Sequence, residues 1–424
     1  MAKSIIIYNN FSSNPLPDGI KVWAPITSDI NAITNYLTEN NIASSIQLEI
    51  VFKKVLDNPS KFNFFSRKKS ELIKPKKVVL YAQSDTLSNS CHQIAKSLKN
   101  HEVLFMVPAK STENAHVYLE EHNISFEYYS FKRLMNFNPD LFLVLNDWTK
   151  EVHRIFAHCK LLGIKNICLQ ESIIDFGDNM NRMLYSDNVM VQGTQTIEDL
   201  NRKHYFLTGN PRYELARTIS NPSNKKDYAL INSNFTYGIF EEKRNSWIDD
   251  ITQACSNNSI KFKISQHPRD RGDLNRYKDQ LIASSSTSLK LQIENAHFII
   301  TRFSSLIHEG LLQYKPVIYY NPHGETMQYN FRFNNDFLFL CETIEELDVA
   351  IQKIVTVEVN KKRIDDYISN HCLPFYSKPS ENINDLFLKG VFESSKFNFR
   401  DLINIVIYWS PIRKILEKLV TKKN

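Results

Sequence analysis

Glycine and cysteine are scarce in this chain of 424 residues. Its 10 glycines form neither a G-x-x-x-x-G-K-[ST] phosphate loop nor a G-x-G-x-x-G dinucleotide fingerprint, which argues against P-loop nucleotidases and ordinary NAD enzymes. The 6 cysteines include no C-x-x-C pair and no short spacing to histidines, so they do not indicate a zinc site. We expect them to be scattered core cysteines of a protein in a reducing compartment.

Long apolar runs are lacking as well. None approaches the roughly 20 residues that a membrane-spanning helix requires, and the N-terminal residues do not form a signal peptide. A D-x-D sequence is also absent, which argues against a diphosphate site bridged by a metal ion. We therefore expect a cytoplasmic protein with no transmembrane helix, no metal and no resident cofactor.

The positive charge is concentrated in two segments of the chain. The formal net charge is +6, from 52 basic and 46 acidic residues, yet residues 61–77 and 396–424 each hold seven basic residues against one and two acidic residues, respectively. A nucleic-acid-binding protein is more often basic across its fold, so this distribution favours contact with an anionic surface and no nucleic-acid partner.

The second basic segment is also amphipathic. Apolar residues from Leu402 to Val420 recur at helical spacing with basic residues between them, a pattern typical of a helix lying on a membrane, although Pro411 interrupts it. The alternative is a C-terminal helix packed on its own domain. The predicted membrane contacts are Arg400, Trp409, Arg413, Lys414 and Lys418.

Short apolar segments alternate with helical patterns from about residue 76 onward, which indicates parallel sheets covered on both faces. The predicted strands include residues 77–81, 103–107, 140–145, 166–169, 228–231, 260–264, 289–292, 297–300 and 316–320. We predict an α/β fold of two doubly wound Rossmann-like domains that face a central cleft. The predicted divisions are an N-terminal extension or incomplete first unit (1–75), a first domain (76–219), a second domain (220–395) and the basic tail (396–424).

Polar residues directly after buried strands are the candidate site residues, because ligands of open α/β sheets bind at the carboxyl ends of the strands. In the first domain, Glu171 is a candidate general base or nucleophile, and Asp147 and Asp175 are reserves for that role. Glu171 and Asp175 each have the alternative role of a helix cap or an ion-pair partner.

The candidate phosphate site combines residues that follow two strands of the second domain. His267, Pro268 and Arg269 follow one strand, and a histidine and an arginine there can bind a phosphate or protonate a leaving group. Ser304 or Ser305 can cap the next helix, whose amino terminus attracts anions, and Glu309 is placed to reach a ribose hydroxyl. The alternative for the two serines is an ordinary helix cap, and the alternative for Glu309 is a solvated helix residue.

These motifs together resemble the GT-B glycosyltransferases of bacterial surface-polysaccharide synthesis, over about residues 76–345. Residues 208–214, with Gly209, Asn210 and Arg212, look like the Gly-x-Pro-Arg-x-Asp segment of CDP-glycerol glycerophosphotransferases. His267-Pro268 and Ser304-Ser305 look like the His-Pro and Ser-Ser motifs of transferases that use CMP-activated sialic acid or Kdo. Gln170-Glu171-Ser172 departs from the usual Gln-Glu-Gly, and Glu214 replaces the usual Asp.

The resemblance implies a membrane-peripheral enzyme on the inner face of the cytoplasmic membrane, without a metal. It implies transfer of a sugar from a CMP- or NDP-activated donor to a lipid-linked glycan of capsule or lipopolysaccharide synthesis. His267, Pro268, Arg269, Ser304, Ser305, Glu309, Gly209, Asn210 and Arg212 would bind the nucleotide or its phosphates. The alternatives are glycerol phosphate transfer, epimerisation of a nucleotide sugar at C2, and an inactive scaffold that binds polysaccharide-assembly proteins.

Overall fold

The computed structural model describes residues 3–8, 21–26, 75–109, 113–171, 173, 182–199, 204–217, 228–236, 238–282, 286–326, 329–373 and 378–407. Of the predicted site residues, Asp175, Trp409, Arg413, Lys414 and Lys418 lie outside these ranges. The chain divides into two compact units, Met1–Arg212 with Leu373–Asn424, and Tyr213–Cys372.

The first unit is built on a nine-stranded sheet in the order β1-β2-β9-β8-β7-β6-β3-β4-β5. Its strands are β1 (Lys3–Tyr8), β2 (Lys21–Ile26), β3 (Lys77–Tyr81), β4 (Glu102–Val107), β5 (Phe126–Tyr128), β6 (Leu141–Val144), β7 (Lys165–Leu169), β8 (Asn188–Val191) and β9 (His204–Leu207). All neighbours are parallel except β1 and β2. The strands β1 and β2 therefore extend the sheet from within the segment predicted as an extension or incomplete unit.

Helices on the first unit bury apolar faces against this sheet. They are α1 (Asp85–Ser97), α2 (Ala115–Glu121), α3 (Phe131–Phe137), α4 (Lys150–Leu162) and α5 (Thr194–Asp199). The next helix, α6 (Pro211–Arg217), contains the boundary between the units. In α4, the Thr149 hydroxyl accepts the Val152 N–H at the amino end, and Gly163 ends the helix with a φ of 71° that L-residues rarely adopt. These two residues, Thr149 and Gly163, fix both ends of α4 by local interactions.

The second unit has a six-stranded parallel sheet in the order β12-β11-β10-β13-β14-β15. Its strands are β10 (Tyr228–Ser233), β11 (Phe262–Gln266), β12 (Leu281–Ile282), β13 (Ala296–Thr301), β14 (Val317–Tyr320) and β15 (Leu338–Cys341). Its later helices are α7 (Arg244–Asn257), α8 (Ser286–Asn295), α9 (Leu306–Leu312), α10 (Ile344–Thr356) and α11 (Lys361–His371). In chain order the strands read 3-2-1-4-5-6, the order of the Rossmann fold.

One predicted strand is wrong. Residues 289–292 belong to the helix α8 rather than to a strand. Their burial follows one face of that helix, since Gln292 and Ile293 are buried while Leu291 is 58% exposed. A short apolar run with alternating polar residues fits either structure, and only packing on the sheet distinguishes them.

The predicted end of the second domain at residue 395 is also corrected. The helix α12 (Pro379–Lys389) belongs to the first unit, where Ile383, Leu386 and Phe387 are fully buried in the core beside β3 and β4. The Asn382 side chain donates to the Thr208 carbonyl oxygen over 2.9 Å, which adds a polar contact. The chain therefore returns to the first unit after residue 372 because α12 completes its hydrophobic core.

The beginning of the basic tail packs on the first unit too. The helix α13 (Phe399–Ile407) lies against α4, and the buried Asp401 carboxylate accepts from the Lys160 ammonium over 3.4 Å. Within the described residues, no helix is long and apolar enough to cross a membrane. All six cysteines are buried, as predicted for core cysteines.

A pair of histidines lies in the core of the second unit. His308 and His371 are fully buried with ring centroids 5.5 Å apart, and neither nitrogen of His308 has a hydrogen-bond partner among the described residues. Tyr329 shares a hydrogen bond of 2.7 Å with Nδ1 of His371, and Tyr367 stacks on the same ring. Burial lowers the pKa of His308 to about 3 and also lowers the pKa of His371.

The second unit is therefore expected to lose stability in mild acid. A histidine that is neutral when folded takes up its proton on unfolding, so its contribution is complete above the unfolded pKa of about 6.5 and falls by about 1.4 kcal/mol per pH unit below it. Urea denaturation at pH 7.5 and pH 5.5 should show a smaller pH dependence for His308→Leu than for the wild type. The exposed His122→Gln is the control, and an unchanged pH dependence in His308→Leu would contradict the assignment.

Candidate functional site

The carboxyl ends of β3 and β6 form the topological switch point of the first sheet, where the order of strands reverses. A hydrogen bond of 2.9 Å from Gln83 to the Thr149 hydroxyl joins the segments that follow the two strands. Asp147 is fully buried here, and its Oδ2 accepts the backbone N–H groups of Tyr185 and Ser186 over 2.8 and 3.0 Å. This arrangement gives Asp147 a structural role, because its carboxylate holds a neighbouring loop.

Glu171 follows β7, the neighbour of β6, and is half-buried at the same edge of the sheet. The backbone around it is fixed, since Gln170 Oε1 accepts the Gln192 N–H over 3.0 Å and the Asn210 amide donates to the carbonyl oxygens of Gln170 and Glu171. The Glu171 charge adds to burial in raising the pKa of Cys91 on α1. The side chain is thus an ionisable group on a rigid backbone at a ligand-binding edge.

Gly209, Asn210 and Arg212 belong to a different unit from the other predicted phosphate-binding residues. They belong to the first unit, after β9, where Asn210 Oδ1 also accepts the Arg212 backbone N–H over 3.0 Å. The Asn210 amide is committed to the backbone of residues 170 and 171. Its observed contacts therefore position the Glu171 loop, a role that sequence reasoning missed because the two segments are 40 residues apart.

In the second unit, the segment after β11 presents a histidine of defined orientation. The His267 backbone N–H donates to the Ser233 carbonyl oxygen over 2.8 Å, and the His267 Nδ1 accepts the Arg269 backbone N–H over 3.1 Å. A neutral ring with Nδ1 as acceptor carries its proton on Nε2. His267 can thus donate a hydrogen bond or a proton to an anionic ligand, and Pro268 is exposed beside it.

The buried Asp270 fixes this segment. Its Oδ2 accepts from the Ser233 hydroxyl over 2.8 Å and from the Phe235 N–H over 3.2 Å, and its Oδ1 lies 2.8 Å from the Arg244 guanidinium. Gly272 also donates its N–H to Oδ1, and a Cβ at that glycine would lie 2.2 Å from the Arg244 guanidinium. One carboxylate therefore joins the ends of β10 and β11.

A second buried ion pair lies at the switch point between β10 and β13. The Arg302 guanidinium donates to the carbonyl oxygens of Asn234 and Ile239 over 3.0 and 3.2 Å, and it pairs with Glu325 over 2.6 Å. It also lies 4.2 Å from the Phe235 ring centre. Glu325 neutralises this cation. Through these contacts, Arg302 holds together the loops after β10, β13 and β14.

Ser304, Ser305 and Glu309 lie beside this ion pair, at the start of α9. The Ser304 hydroxyl accepts the Leu306 N–H over 3.2 Å, whereas the Ser305 side chain makes no cap hydrogen bond. The helix has only seven residues, so its dipole gives less support for an anion site than the sequence suggested. Both serines and Glu309 are half-buried at the carboxyl edge of the sheet.

The structure thus brings two groups of predicted residues to two sheet edges, one in each unit. His267 and Ser304 follow β11 and β13, which flank β10, so about 10 Å separates their strands at the usual strand spacing. Among the described residues, no group of three or more His, Cys, Asp or Glu side chains is arranged to hold a metal ion. Asp270 and Arg302 also stand in the polar segments that follow these buried strands, but the sequence pattern did not indicate their role as ion pairs that hold loops.

Comparison with solved structures identifies the fold. The chain is similar to a putative UDP-N-acetylglucosamine 2-epimerase from Listeria monocytogenes, with a TM-score of 0.54 and 11% identity over 76% of this chain and 98% of that one. The UDP complex of MnaA from S. aureus gives a TM-score of 0.52 and 14% identity over 76% and 99%. The UDP-GlcNAc 2-epimerase from Methanocaldococcus jannaschii, solved with UDP-GlcNAc and UDP, gives 0.50 and 16% over 73% and 98%.

No protein-family model matches the chain, and no curated protein sequence matches it significantly. The structural similarity at this low identity confirms the predicted fold class, which is two Rossmann-like domains of the GT-B type. The same fold carries several reactions of nucleotide sugars, so the reaction has to be argued from the residues at the two sheet edges.

Proposed function

We propose that this protein is a glycosyltransferase that moves a sugar from a nucleotide-activated donor to a lipid-linked surface glycan, as in capsule or lipopolysaccharide synthesis. The observation that carries the proposal is the oriented His267 ring at the carboxyl edge of a Rossmann-ordered sheet. Such an edge is where α/β proteins bind nucleotides. That the similar structures include UDP and UDP-GlcNAc complexes supports the choice of a nucleotide sugar.

The second unit would bind the donor. The Nε2–H of His267 and the Arg269 guanidinium would contact the phosphates, with the hydroxyls of Ser304 and Ser305 on the other side of β10 and Glu309 at the ribose. Hydrogen bonds from fixed donors stabilise the negative charge that develops on the leaving phosphate. The Asp270 and Arg302 ion pairs keep these segments in place before the nucleotide arrives.

The first unit would bind the acceptor. Glu171 would accept the proton of the attacking hydroxyl, or act on the anomeric carbon itself, while Asn210 keeps its backbone in place. Asp175 remains a reserve for this role as a prediction from sequence alone. A cytoplasmic location at the inner membrane face and the absence of a metal are parts of the same proposal.

Epimerisation of a nucleotide sugar at C2 is the second candidate, because two of the similar structures above, those from Listeria monocytogenes and Methanocaldococcus jannaschii, are described as 2-epimerases of this kind. The products separate the two reactions. A transferase releases the nucleotide and attaches the sugar to an acceptor, whereas an epimerase returns an isomeric nucleotide sugar that ion-exchange chromatography and NMR identify. Glycerol phosphate transfer would yield a phosphodiester product, and an inactive scaffold would give none of these.

Nucleotide binding is tested by thermal shift with CMP, CDP, UMP, UDP, GDP and dTDP. We expect the nucleotides of one base to raise the melting temperature. His267→Ala should weaken the binding of those nucleotides about 10- to 100-fold, since a hydrogen bond to a charged group contributes about 1.5–3 kcal/mol. His297→Gln is the matched control, because His297 lies at the amino end of β13 in the same unit. No shift with any nucleotide, or equal losses in both variants, would contradict the proposed donor site.

A further inference from the structure

The helix α13 leaves an apolar face uncovered on the first unit. Phe399 is 74% exposed, Leu402 is 45% exposed and Ile403 is 37% exposed, and their spacing places all three on one side of the helix. Three exposed large apolar residues on one helical turn are uncommon on the surface of a monomer and mark a contact site.

The opposite side of α13 is firmly attached. Asp401 and Asn398 cap the helix reciprocally, each side chain accepting the other's backbone N–H over 3.0 and 3.1 Å. The Asp401 carboxylate also pairs with Lys160, which lies 3.7 Å from Asp187. The contacts of Asn398, Asp401 and Lys160 set the orientation of α13. The apolar face therefore points outward as part of the folded unit.

The exposed face continues onto a second segment beside α13. The Arg400 guanidinium lies 5.3 Å from the centre of the Tyr185 ring, which stacks on His153. Next to Tyr185, Leu184 is 46% exposed, and the Arg182 guanidinium lies 4.1 Å from the ring centre of Trp148, itself 47% exposed. Tryptophan, leucine and arginine thus extend the apolar and basic surface toward the end of β6.

We propose that these residues form one docking surface for an anionic lipid bilayer. The lipid-docking surface consists of Trp148, Arg182, Leu184, Phe399, Arg400, Leu402 and Ile403. Apolar side chains with basic neighbours and an amphipathic tryptophan are the composition of surfaces that lie in the headgroup region. A second copy of the chain is the less suitable occupant, because a two-fold contact through this surface would bring its basic residues together.

The lipid-docking surface includes Trp148 at the sheet edge that carries the proposed acceptor site. Trp148 follows Asp147 at the end of β6, and the neighbouring strand β7 leads to Glu171. A bilayer held against Trp148 would present a lipid-linked acceptor at the edge that carries Glu171. This part of the inference rests on the proposed function. Membrane binding itself requires no assumption about the reaction.

Vesicle flotation tests the proposal with the full chain. The wild type should float with vesicles of phosphatidylcholine mixed with phosphatidylglycerol and remain behind with phosphatidylcholine alone. The double variant Phe399→Ser and Leu402→Ser should bind about tenfold more weakly, and Trp148→Ala and Arg182→Gln each about fivefold, close to the effect of one basic residue near an anionic membrane. Val349→Ser, an exposed apolar residue of the second unit, is the matched control.

The Trp148 and Arg182 variants separate this proposal from binding by the C-terminal tail alone, which would leave both unaffected. Absence of binding to anionic vesicles, or full binding by Trp148→Ala, would overturn the composite surface. Self-association of the wild type that the same substitutions abolish would assign the surface to a second copy instead. Nucleotide-induced thermal shifts of the variants should equal that of the wild type, so a failed donor site and a failed membrane site give different results.

Discussion

Glu171→Gln is expected to lower the rate of sugar transfer about 10²- to 10⁴-fold, the usual contribution of a general base. The substitution keeps the size of the side chain and the hydrogen bonds of Asn210 to the backbone of residue 171, so only the ionisable group is lost. Transfer is measured as release of nucleotide from the activated sugar that the thermal-shift panel identifies. Nucleotide affinity should not change, because Glu171 belongs to the first unit.

Two further variants define the role of this carboxylate. Glu171→Asp keeps the charge and should retain part of the activity, and Glu121→Gln, an exposed glutamate on α2 of the same unit, should behave as the wild type. Loss of nucleotide binding or a lower melting temperature in Glu171→Gln would show that the residue is structural. Full activity would remove Glu171 from the proposed mechanism.

Asp270→Ala is expected to destabilise the second unit by about 3–5 kcal/mol, because it leaves a buried guanidinium without its partner. The Arg244 cation, the Ser233 hydroxyl and the Phe235 N–H all lose their acceptor. The corresponding decrease in melting temperature is about 10 °C for a unit of this size. Calorimetry of the whole chain should show the lower transition in the presence and absence of nucleotide.

Asp270→Asn retains an acceptor oxygen but no charge, and an intermediate loss is expected. The exposed Asp279→Asn is the control in the same part of the chain. Because Asp270 also holds the segment that carries His267, nucleotide affinity should fall together with stability. An Asp270→Ala protein with unchanged melting temperature would contradict the proposed function of this ion pair.

Most of the elements of the fold could be predicted because their signals are local. Buried parallel strands such as β6 and β13 are continuous apolar runs, and α4 begins and ends at residues with known capping preferences. Residues 289–292 were predicted wrongly, since two leucines that alternate with polar residues fit a short strand and a helix equally.

The candidate site could be predicted in part. The rule that ligands bind after buried strands selected His267, Ser304 and Glu171, and all three lie at the carboxyl edges of their sheets. The same rule could not show that Asp147 and Asn210 hold backbone loops, because their hydrogen-bond partners are distant in sequence.

The sequence by itself determined the α/β class, the parallel character of the sheets from about residue 76 onward and the positions of the polar residues after their strands, because short apolar runs that alternate with helical patterns are visible within a few residues. Only the tertiary structure decided that α12 returns to the first unit, that Asp270 and Arg302 join separate loops, that Arg182 lies over Trp148, and that Arg400 of α13 lies over Tyr185. Contacts between distant segments depend on which apolar surfaces bury one another, and the pattern along a single segment does not specify its partner.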